Sequence, residues 1–447
     1  MQLRRQEFAA TNIAIVGLVV VASAAAFLRL LFLGQDSFWW DELASVVYSG
    51  ADWQAFWSWE LQSESLNLVL YYLILRPWLY LGESEFAVRS LSVIFGVLTV
   101  IAVFVLGKRL FDLRTGLIAA LILAVHAFHI QFSQEARGYS LLTLLVTLSS
   151  LFFLKSIERP SWGNWAGYAL TSALAGYSHF FGLLVLLAHA SSLLFLSPQG
   201  VPWTRWMIAW SSSGLLLFPL VHYGLLRSVA KDPTVSETSL GQFVMAFTGY
   251  GGYPLLAVYL VPVLIVAIFA VKNWSASWGT LESWRYGFLL TWLLLPILLA
   301  LGVRSIEPVF VAKYLLGCLP ALVLLAAAGI SRRRFPLLSG AVLIAIVALS
   351  ARATFAYYTE VEKEDWRGAA NLVAYRWEPG DSFLIYKPEE SYFRHYLEQL
   401  GTPDSEMRPA VGSEWKGFIR SGPDREEIAR FLPDEPERIW LVLVHAG

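Results

Sequence analysis

Charged residues are scarce in this sequence: Asp, Glu, Lys and Arg make up 15% of its 447 residues, whereas 57% are hydrophobic. Soluble domains carry about 25% charged residues, so a soluble protein is excluded for most of the chain. The 33 basic and 34 acidic residues nearly cancel, which excludes the basic surface of a nucleic-acid-binding protein. The single cysteine, Cys318, excludes an internal disulfide, and no Cys/His cluster has the spacing of a zinc site.

Long apolar runs fill the first three quarters of the chain. A membrane-spanning helix needs about 20 mostly apolar residues, because unpaired backbone groups are too costly in hydrocarbon. We predict an α-helical polytopic membrane domain over residues 1–355 with eleven spans. They cover residues 12–33, 87–107, 116–132, 139–154, 165–176, 180–196, 206–225, 253–271, 286–301, 314–329 and 336–355.

The basic residues indicate the orientation of these spans. Lys and Arg collect in alternate connections, for example at Arg109, Arg285 and Arg332, and short cytoplasmic loops are enriched in them. The long connection 34–86 has Arg76 as its only base among many acidic residues. We therefore predict that this loop and everything after residue 355 are extracytoplasmic, in a plasma (inner) membrane.

Two further segments complete the predicted architecture. Residues 68–81 are apolar but short and contain Arg76 and Pro77, so we predict an interfacial helix in the first outer loop. The alternative is a full span that reverses the topology downstream. Residues 356–447 are more polar and combine a helical pattern with β-like runs at 382–386 and 439–444. We predict a small extracytoplasmic α/β domain there.

Ionisable residues collect at three predicted outer membrane boundaries. Asp41 and Glu42 follow the first span, next to Trp40, although Trp side chains also form ordinary interfacial belts and Glu42 fits a solvated face. Glu135 and Arg137 lie in a very short outer loop, where an anchoring ion pair is the simpler alternative.

The third cluster is the pair Lys313 and Tyr314, at the outer end of the tenth span. A cation beside a phenol suits a phosphate at headgroup depth, while snorkelling toward lipid is the alternative for the lysine. His179, Arg29 and Arg89 also fall near the outer face, where single residues more often anchor helices. Three clusters on one side of one membrane favour a shared cleft lined by Asp41, Glu135 and Lys313.

In this arrangement the sequence resembles the GT-C-fold glycosyltransferases that use lipid-phosphate-linked sugars, in the protein O-mannosyltransferase and aminoarabinose-transferase-like branch. The matching features, in order, are the pair Asp41-Glu42, the segment 70–72 leading into 82–89, the loop 134–139, and residues 309–314 followed by Pro320. Asn67 departs from the pattern by replacing a usual proline, and Lys313 by replacing a common arginine, which removes a bidentate phosphate contact.

The resemblance implies an enzyme that transfers a sugar from a polyprenyl phosphate to an acceptor hydroxyl on a lipid, a glycan or a protein. Asp41 is expected to be the general base, on the opposite side of the anomeric carbon from the cation, which predicts inversion. The expected site residues are Asp41, Glu42 and Glu135 for catalysis, Lys313, Tyr314, Arg137 and Arg89 for the donor phosphate, and Trp40, Tyr71, Tyr72, Tyr139 and His179 for substrate binding.

No cofactor is expected to be obligatory, although Asp41, Glu42 and Glu135 offer the oxygen ligands that suit Mg or Mn. Three other functions stay open at this point. A transporter or flippase for a lipid-linked sugar would use the same residues as a substrate path. An oligosaccharide transferase or ligase would take a diphosphate-linked donor, and a non-catalytic assembly subunit would use the C-terminal domain to bind a partner.

Overall fold

The structure is a computed structural model. It describes residues 2–62, 67–197, 201–225, 240–272, 279–304, 312–332, 336–361, 363–378, 381–385, 393–397, 399–400, 409–410 and 438–442. The chain forms two compact units. The first comprises Met1–Leu33 and Tyr48–Val361, and the second comprises Gly34–Val47 and Glu362–Gly447.

The described part of the chain is mostly helical. Helices α1 to α8 are Gln2–Leu30, Trp40–Gly50, Trp53–Gln62, Val69–Trp78, Glu85–Leu110, Leu113–Ala124, Ala127–Ser133 and Tyr139–Glu158. Helices α9 to α17 are Trp162–Ser178, Gly182–Ser192, Trp203–Leu225, Leu240–Thr248, Gly252–Lys272, Leu281–Arg304, Leu319–Ile330, Pro336–Glu360 and Trp366–Arg376. Short 3₁₀ segments are Leu79–Leu81, Leu193–Phe195, Gly249–Gly251 and Ala312–Cys318.

Seven helical stretches in the described residues are long and apolar enough to cross a membrane. They are Asn12–Leu30, Glu85–Leu110, Tyr139–Glu158, Gly241–Lys272, Leu281–Gly302, Ala312–Ile330 and Pro336–Glu360. The predicted spans 165–176, 180–196 and 206–225 correspond to α9, α10 and α11, which are helical but fall outside this set. The multi-pass membrane architecture is confirmed, while the count of eleven stays a prediction.

The predicted span 116–132 needs a correction, because it is a broken helix. Helices α6 and α7 bend by 65° between Ala124 and Ala127, and the pair makes an eighth span only if both pieces are counted together. A break of this kind leaves carbonyl groups at the end of the first piece without their helical partners. In an apolar interior these groups need another donor.

Arg29, at the end of α1, supplies that donor. Its Nη1 donates to the Ala124 carbonyl at 3.0 Å and its Nη2 to the Leu123 carbonyl at 3.3 Å. The same side chain lies 2.7 Å from His129 Nδ1 and donates from Nε to Ser133 Oγ at 3.2 Å. Arg29 is completely buried. One guanidinium therefore caps α6 and contacts α7 at His129 and at its last residue, Ser133.

Helices α5 and α6 pack closely through two glycines. A Cβ atom on Gly107 would lie 2.9 Å from the Gly116 Cα, and one on Gly116 would lie 2.5 Å from the Phe104 carbonyl oxygen. Small residues allow such backbone contact between membrane helices, where tight packing replaces the hydrophobic drive. This contact fixes the position of α6 against α5. It therefore also fixes where the break between α6 and α7 lies.

Helix α4 forms where an interfacial helix was predicted over 68–81. It covers Val69–Trp78 and continues as the 3₁₀ segment Leu79–Leu81. The Arg76 guanidinium lies 4.1 Å from the Trp53 ring centroid and donates to the Ser49 carbonyl at 3.2 Å. These contacts join α4 to α2 and α3.

The second unit contains α17 and a parallel three-stranded sheet. Strands β1 (Asp381–Ile385), β2 (Pro409–Ala410) and β3 (Arg438–Val442) have the order β2-β1-β3. The predicted runs 382–386 and 439–444 coincide with β1 and β3, except for residues 386 and 443–444, which lie outside the described residues.

The stretch Gly34–Val47 belongs to this second unit. Ser37 Oγ donates to the Glu364 carbonyl at 2.6 Å and accepts from the Trp366 N–H at 3.1 Å. The Phe38 N–H donates to the Tyr396 hydroxyl at 2.7 Å. These hydrogen bonds tie the start of the first predicted outer loop to the C-terminal segment.

Candidate active site

The loop between α7 and α8 carries Glu135 and Arg137. The Arg137 N–H donates to the Glu135 carbonyl at 2.8 Å, which makes a tight turn. The Gln134 side chain donates to the carbonyls of Arg29 and Leu31 at 3.0 and 2.8 Å. These hydrogen bonds attach the loop to the end of α1. They therefore fix the backbone from which the Glu135 and Arg137 side chains extend.

Glu135 is buried and faces a chain of polar groups. Its Oε1 accepts from Gln131 Nε2 at 3.2 Å, and Gln131 Oε1 accepts from the Tyr250 hydroxyl at 3.1 Å. Glu135 is only 2% exposed. Hydrogen bonds of this kind hold a carboxylate in one orientation, as a catalytic or positioning role requires.

Arg137 points toward the tyrosines of α4. Its Nη1 donates to the Tyr72 hydroxyl at 2.9 Å. The neighbouring Tyr71 hydroxyl lies 2.9 Å from Ser92 Oγ on α5, and both tyrosines are buried. Tyr72 thus orients a predicted phosphate-binding arginine, whereas the described contact of Tyr71 supports the packing of α4 on α5.

Four predicted site residues from three separate segments form a cluster, which we call the Lys313 cluster: Tyr139, His179, Lys313 and Tyr314. Lys313 Nζ lies 5.3 Å from the Tyr139 ring centroid. The His179 ring lies 4.7 Å from Tyr314 and 5.7 Å from Tyr139, centroid to centroid. A lysine over an aromatic face gains a cation–π attraction. The fold therefore assembles a cation, two phenols and an imidazole at one place.

His179 lies between α9 and α10, outside the membrane-spanning segments. Burial, followed by the positive charges of Lys313 and Arg137, lowers its pKa from the ordinary 6.5 to about 3. Its Nδ1 accepts from the Phe181 N–H at 3.2 Å. The imidazole is therefore neutral near pH 7 and carries its proton on Nε2.

Acid should weaken the folded state through His179. A lowered pKa favours the neutral form, so this contribution to stability is complete above pH 6.5 and is lost as the pH falls toward about 3. We expect the melting temperature of His179→Gln to fall less than that of wild type when the pH is lowered from about 7.5 to about 5.5. The matched control is His222→Gln, because His222 is exposed. Parallel pH dependence in wild type and His179→Gln would contradict the assignment.

Asn67 is a positioning residue that the sequence marked only as a departure from the family pattern. Its Oδ1 accepts from the Phe180 N–H at 2.6 Å, and the adjacent Phe181 ring lies 4.8 Å from Tyr314. The Asn67 side chain thereby stabilises the connection between α9 and α10, where His179 lies. A polar side chain just before an apolar helix is the signal that points to such a contact.

The first predicted cluster lies at the beginning of α2, in the second unit. Glu42 is buried, and its Oε2 accepts from the Trp39 N–H at 3.4 Å. A glutamate that reaches back to the N-cap N–H satisfies a donor without a helical partner, so Glu42 has a structural role. Asp41 is half-buried, and Trp40 is 40% exposed.

Arg89 is buried on α5, and its Nη1 donates to the Leu33 carbonyl at 2.9 Å. This contact attaches the guanidinium to the end of the first helical segment. The divalent cation that the sequence left open gains no support here, because the described residues contain no group of three His, Cys, Asp or Glu side chains able to hold a metal ion.

Comparison with solved structures defines the fold of the chain. ArnT from Cupriavidus metallidurans in the apo state superposes with a TM-score of 0.61, 13% identity, and coverage of 94% of this chain and 91% of ArnT. The Archaeoglobus fulgidus oligosaccharyltransferase in the apo form gives 0.59 and 11%, with coverage of 91% and 65%. The chain thus spans just under two thirds of the archaeal enzyme. The chain is a polytopic membrane protein with the GT-C fold, as the resemblance predicted.

Residues 68–226 match the family model described as dolichyl-phosphate-mannose-protein mannosyltransferase. This segment contains Tyr71, Tyr72, Glu135, Arg137 and His179. No curated protein sequence matches the chain. The similarity to this mannosyltransferase family is thus established for the part of the chain that holds α4 to α11.

Proposed function

We propose that this protein is an inverting glycosyltransferase that moves a sugar from a polyprenyl phosphate to an acceptor hydroxyl at the extracytoplasmic face of a plasma membrane. The observation that carries the proposal is the Lys313 cluster, together with Arg137 held by Tyr72. The acceptor is a lipid, a glycan or a protein.

The chemistry of the cluster suits a phosphate monoester or diester. Lys313 supplies a point charge and Arg137 a planar set of donors, and both charges act on the same imidazole. Neutral His179 and the phenols add hydrogen-bond donors without adding charge. When the glycosidic bond breaks, the phosphate gains negative charge, and fixed cations stabilise it without reorganising.

Similar structures support a lipid phosphate as this ligand. ArnT has been solved with bound undecaprenyl phosphate, with a TM-score of 0.55, 13% identity, and coverage of 91% of each chain. The Archaeoglobus fulgidus AglB has been solved with a dolichol-phosphate and an inhibitory peptide, with a TM-score of 0.56, 12% identity, and coverage of 86% of this chain and 63% of AglB. We infer a polyprenyl phosphate carrier for this protein.

The proposed reaction is a single displacement. The acceptor oxygen forms a bond to the anomeric carbon, the bond between that carbon and the phosphate oxygen breaks, and polyprenyl phosphate leaves. Asp41, assigned by the family resemblance, accepts the hydroxyl proton. A positioned base of this kind contributes roughly 10²–10⁴-fold to the rate.

Reconstitution tests the proposal. The purified protein in proteoliposomes is given radiolabelled polyprenyl-phosphate sugars with membrane extracts as acceptor. We expect label to move covalently to an acceptor, with inversion at the anomeric carbon. Movement of intact donor across the bilayer without covalent transfer would instead identify a flippase and reject the glycosyltransferase proposal.

Lys313 offers a specific kinetic prediction. We expect Lys313→Ala to raise the KM for the donor by about tenfold or more, because a charge-assisted contact to phosphate is worth about 1.5–3 kcal/mol. Lys313→Arg should restore most of the donor affinity, since it keeps the charge. The measurement is initial rate against donor concentration. An unchanged KM in Lys313→Ala would remove the phosphate-binding role.

A further inference from the structure

A cavity lies between the ends of α13 and α15 and the beginning of α16. Its volume is about 450 Å³. Apolar side chains line most of it, including Val261, Ile265, Ile268, Leu338 and Val342. Ile268 is 55% exposed and Leu338 is 48% exposed, so the cavity opens sideways from the helices as a groove.

Close contact between two helices forms the floor of this groove. A Cβ atom on Gly329 of α15 would lie 2.3 Å from the carbonyl oxygen of Pro262 in α13. Both residues line the cavity. Because α13 and α15 touch at backbone level here, their side chains form the walls and leave the space beside α16 open.

Two basic residues stand at one end of the groove, Lys272 and Arg332. The Arg332 Cζ lies 3.5 Å from the Phe269 ring centroid, and its Nη2 donates to the Tyr286 hydroxyl at 3.1 Å. These two aromatic residues hold the guanidinium in a fixed orientation. Lys272 is exposed at the last position of α13.

This groove is separate from the candidate active site. Lys313 is the second residue of the candidate span Ala312–Ile330, and Arg332 follows the other end of that span. A helical span of this length measures about 30 Å. The groove and the Lys313 cluster therefore belong to opposite faces of the membrane, and the groove lies on the face that is rich in Lys and Arg.

We propose that the groove binds an anionic phospholipid, with the headgroup phosphate at Lys272 and Arg332 and an acyl chain along Val261, Ile265 and Val342. Charge complementarity selects this ligand. A zwitterionic lipid gains little net attraction from two cations at the membrane surface, whereas an anionic headgroup gains about 1 kcal/mol from each. A soluble anion would not use the apolar walls.

Native mass spectrometry of the full-length protein tests this site. Protein in detergent is titrated with phosphatidylglycerol, with phosphatidylcholine, and with phosphatidylglycerol in the presence of inorganic phosphate. We expect phosphatidylglycerol to bind at least about fivefold more tightly than phosphatidylcholine, and Lys272→Gln to lose about fivefold in affinity. Arg114→Gln is the control, because Arg114 is an exposed basic residue at the beginning of α6 and does not line the groove.

A second variant tests the apolar part. Val342→Trp fills the groove while both cations stay in place, and we expect it to lower phosphatidylglycerol occupancy without moving the melting temperature. Equal binding of the two lipids, unchanged affinity in Lys272→Gln, or unchanged occupancy in Val342→Trp would each overturn the proposal. Displacement of the lipid by millimolar inorganic phosphate would overturn it as well, since it would identify a simple anion site.

Discussion

Asp41→Asn is expected to lower the rate of sugar transfer by roughly 10²–10⁴-fold while the protein still folds and inserts. Asparagine has nearly the same shape as aspartate but cannot accept a proton at neutral pH. Asp41 is half-buried in the first turn of α2, where loss of its charge leaves the helical backbone intact. The measurement is single-turnover transfer from a radiolabelled polyprenyl-phosphate sugar, which isolates the chemical step from product release.

Two neighbouring carboxylates serve as controls for Asp41. Asp36→Asn removes an exposed acid from the same segment and should leave the transfer rate within a factor of about two. Glu42→Ala should lower the melting temperature, because it removes the acceptor of the Trp39 N–H at the start of α2, and should leave the transfer rate of the folded protein close to that of wild type. Normal turnover in Asp41→Asn, or an equal loss in Asp36→Asn, would reject Asp41 as the base.

Hydropathy predicts most of the helical architecture because each span depends only on local composition. All seven helical stretches that are long and apolar enough to cross a membrane in the described part of the chain overlap predicted spans. The 65° break between α6 and α7 was missed. Both of its sides are apolar, and Arg29, which caps it, lies 95 residues away from Ala124 in sequence. A window of neighbouring residues contains no information about such a partner.

The candidate site likewise contains residues that the sequence predicts and residues whose role depends on distant partners. Tyr139, His179, Lys313 and Tyr314 were selected for chemical type and topological side, and the fold brings them together. The contribution of Asn67 depends on a hydrogen bond to Phe180 across 113 residues; its position just before α4 indicates a polar contact but does not reveal this partner. Residues proposed to contact substrate can be selected from the sequence by their chemical type. Residues that stabilise a helix break or a turn cannot, because their role depends on partners that are distant in the sequence.

Arg29→Ala is expected to destabilise the first unit by about 3 kcal/mol or more. The substitution leaves the Ala124 carbonyl and the Nδ1 atom of His129 without the donor they have now, while the Leu123 carbonyl keeps the His126 N–H at 3.3 Å. Each buried polar group that loses its partner costs about 1–3 kcal/mol, and Ala124 and His129 are both buried. The measurement is thermal unfolding in detergent, followed by tryptophan fluorescence.

Activity adds a second readout for Arg29, because the same residue holds the loop that carries Glu135 and Arg137. Its Nε donates to Ser133, the last residue of α7, which directly precedes that loop. We therefore expect the folded fraction of Arg29→Ala to show a lower kcat, and Arg29→Lys to recover only part of the stability, since an ammonium has three donors where the guanidinium has five. Arg352→Ala, which removes an exposed arginine from α16, should change neither quantity. If Arg29→Ala melts at the wild-type temperature, the guanidinium does not hold the broken helix, and the link from α1 to the Glu135 loop must run through other contacts.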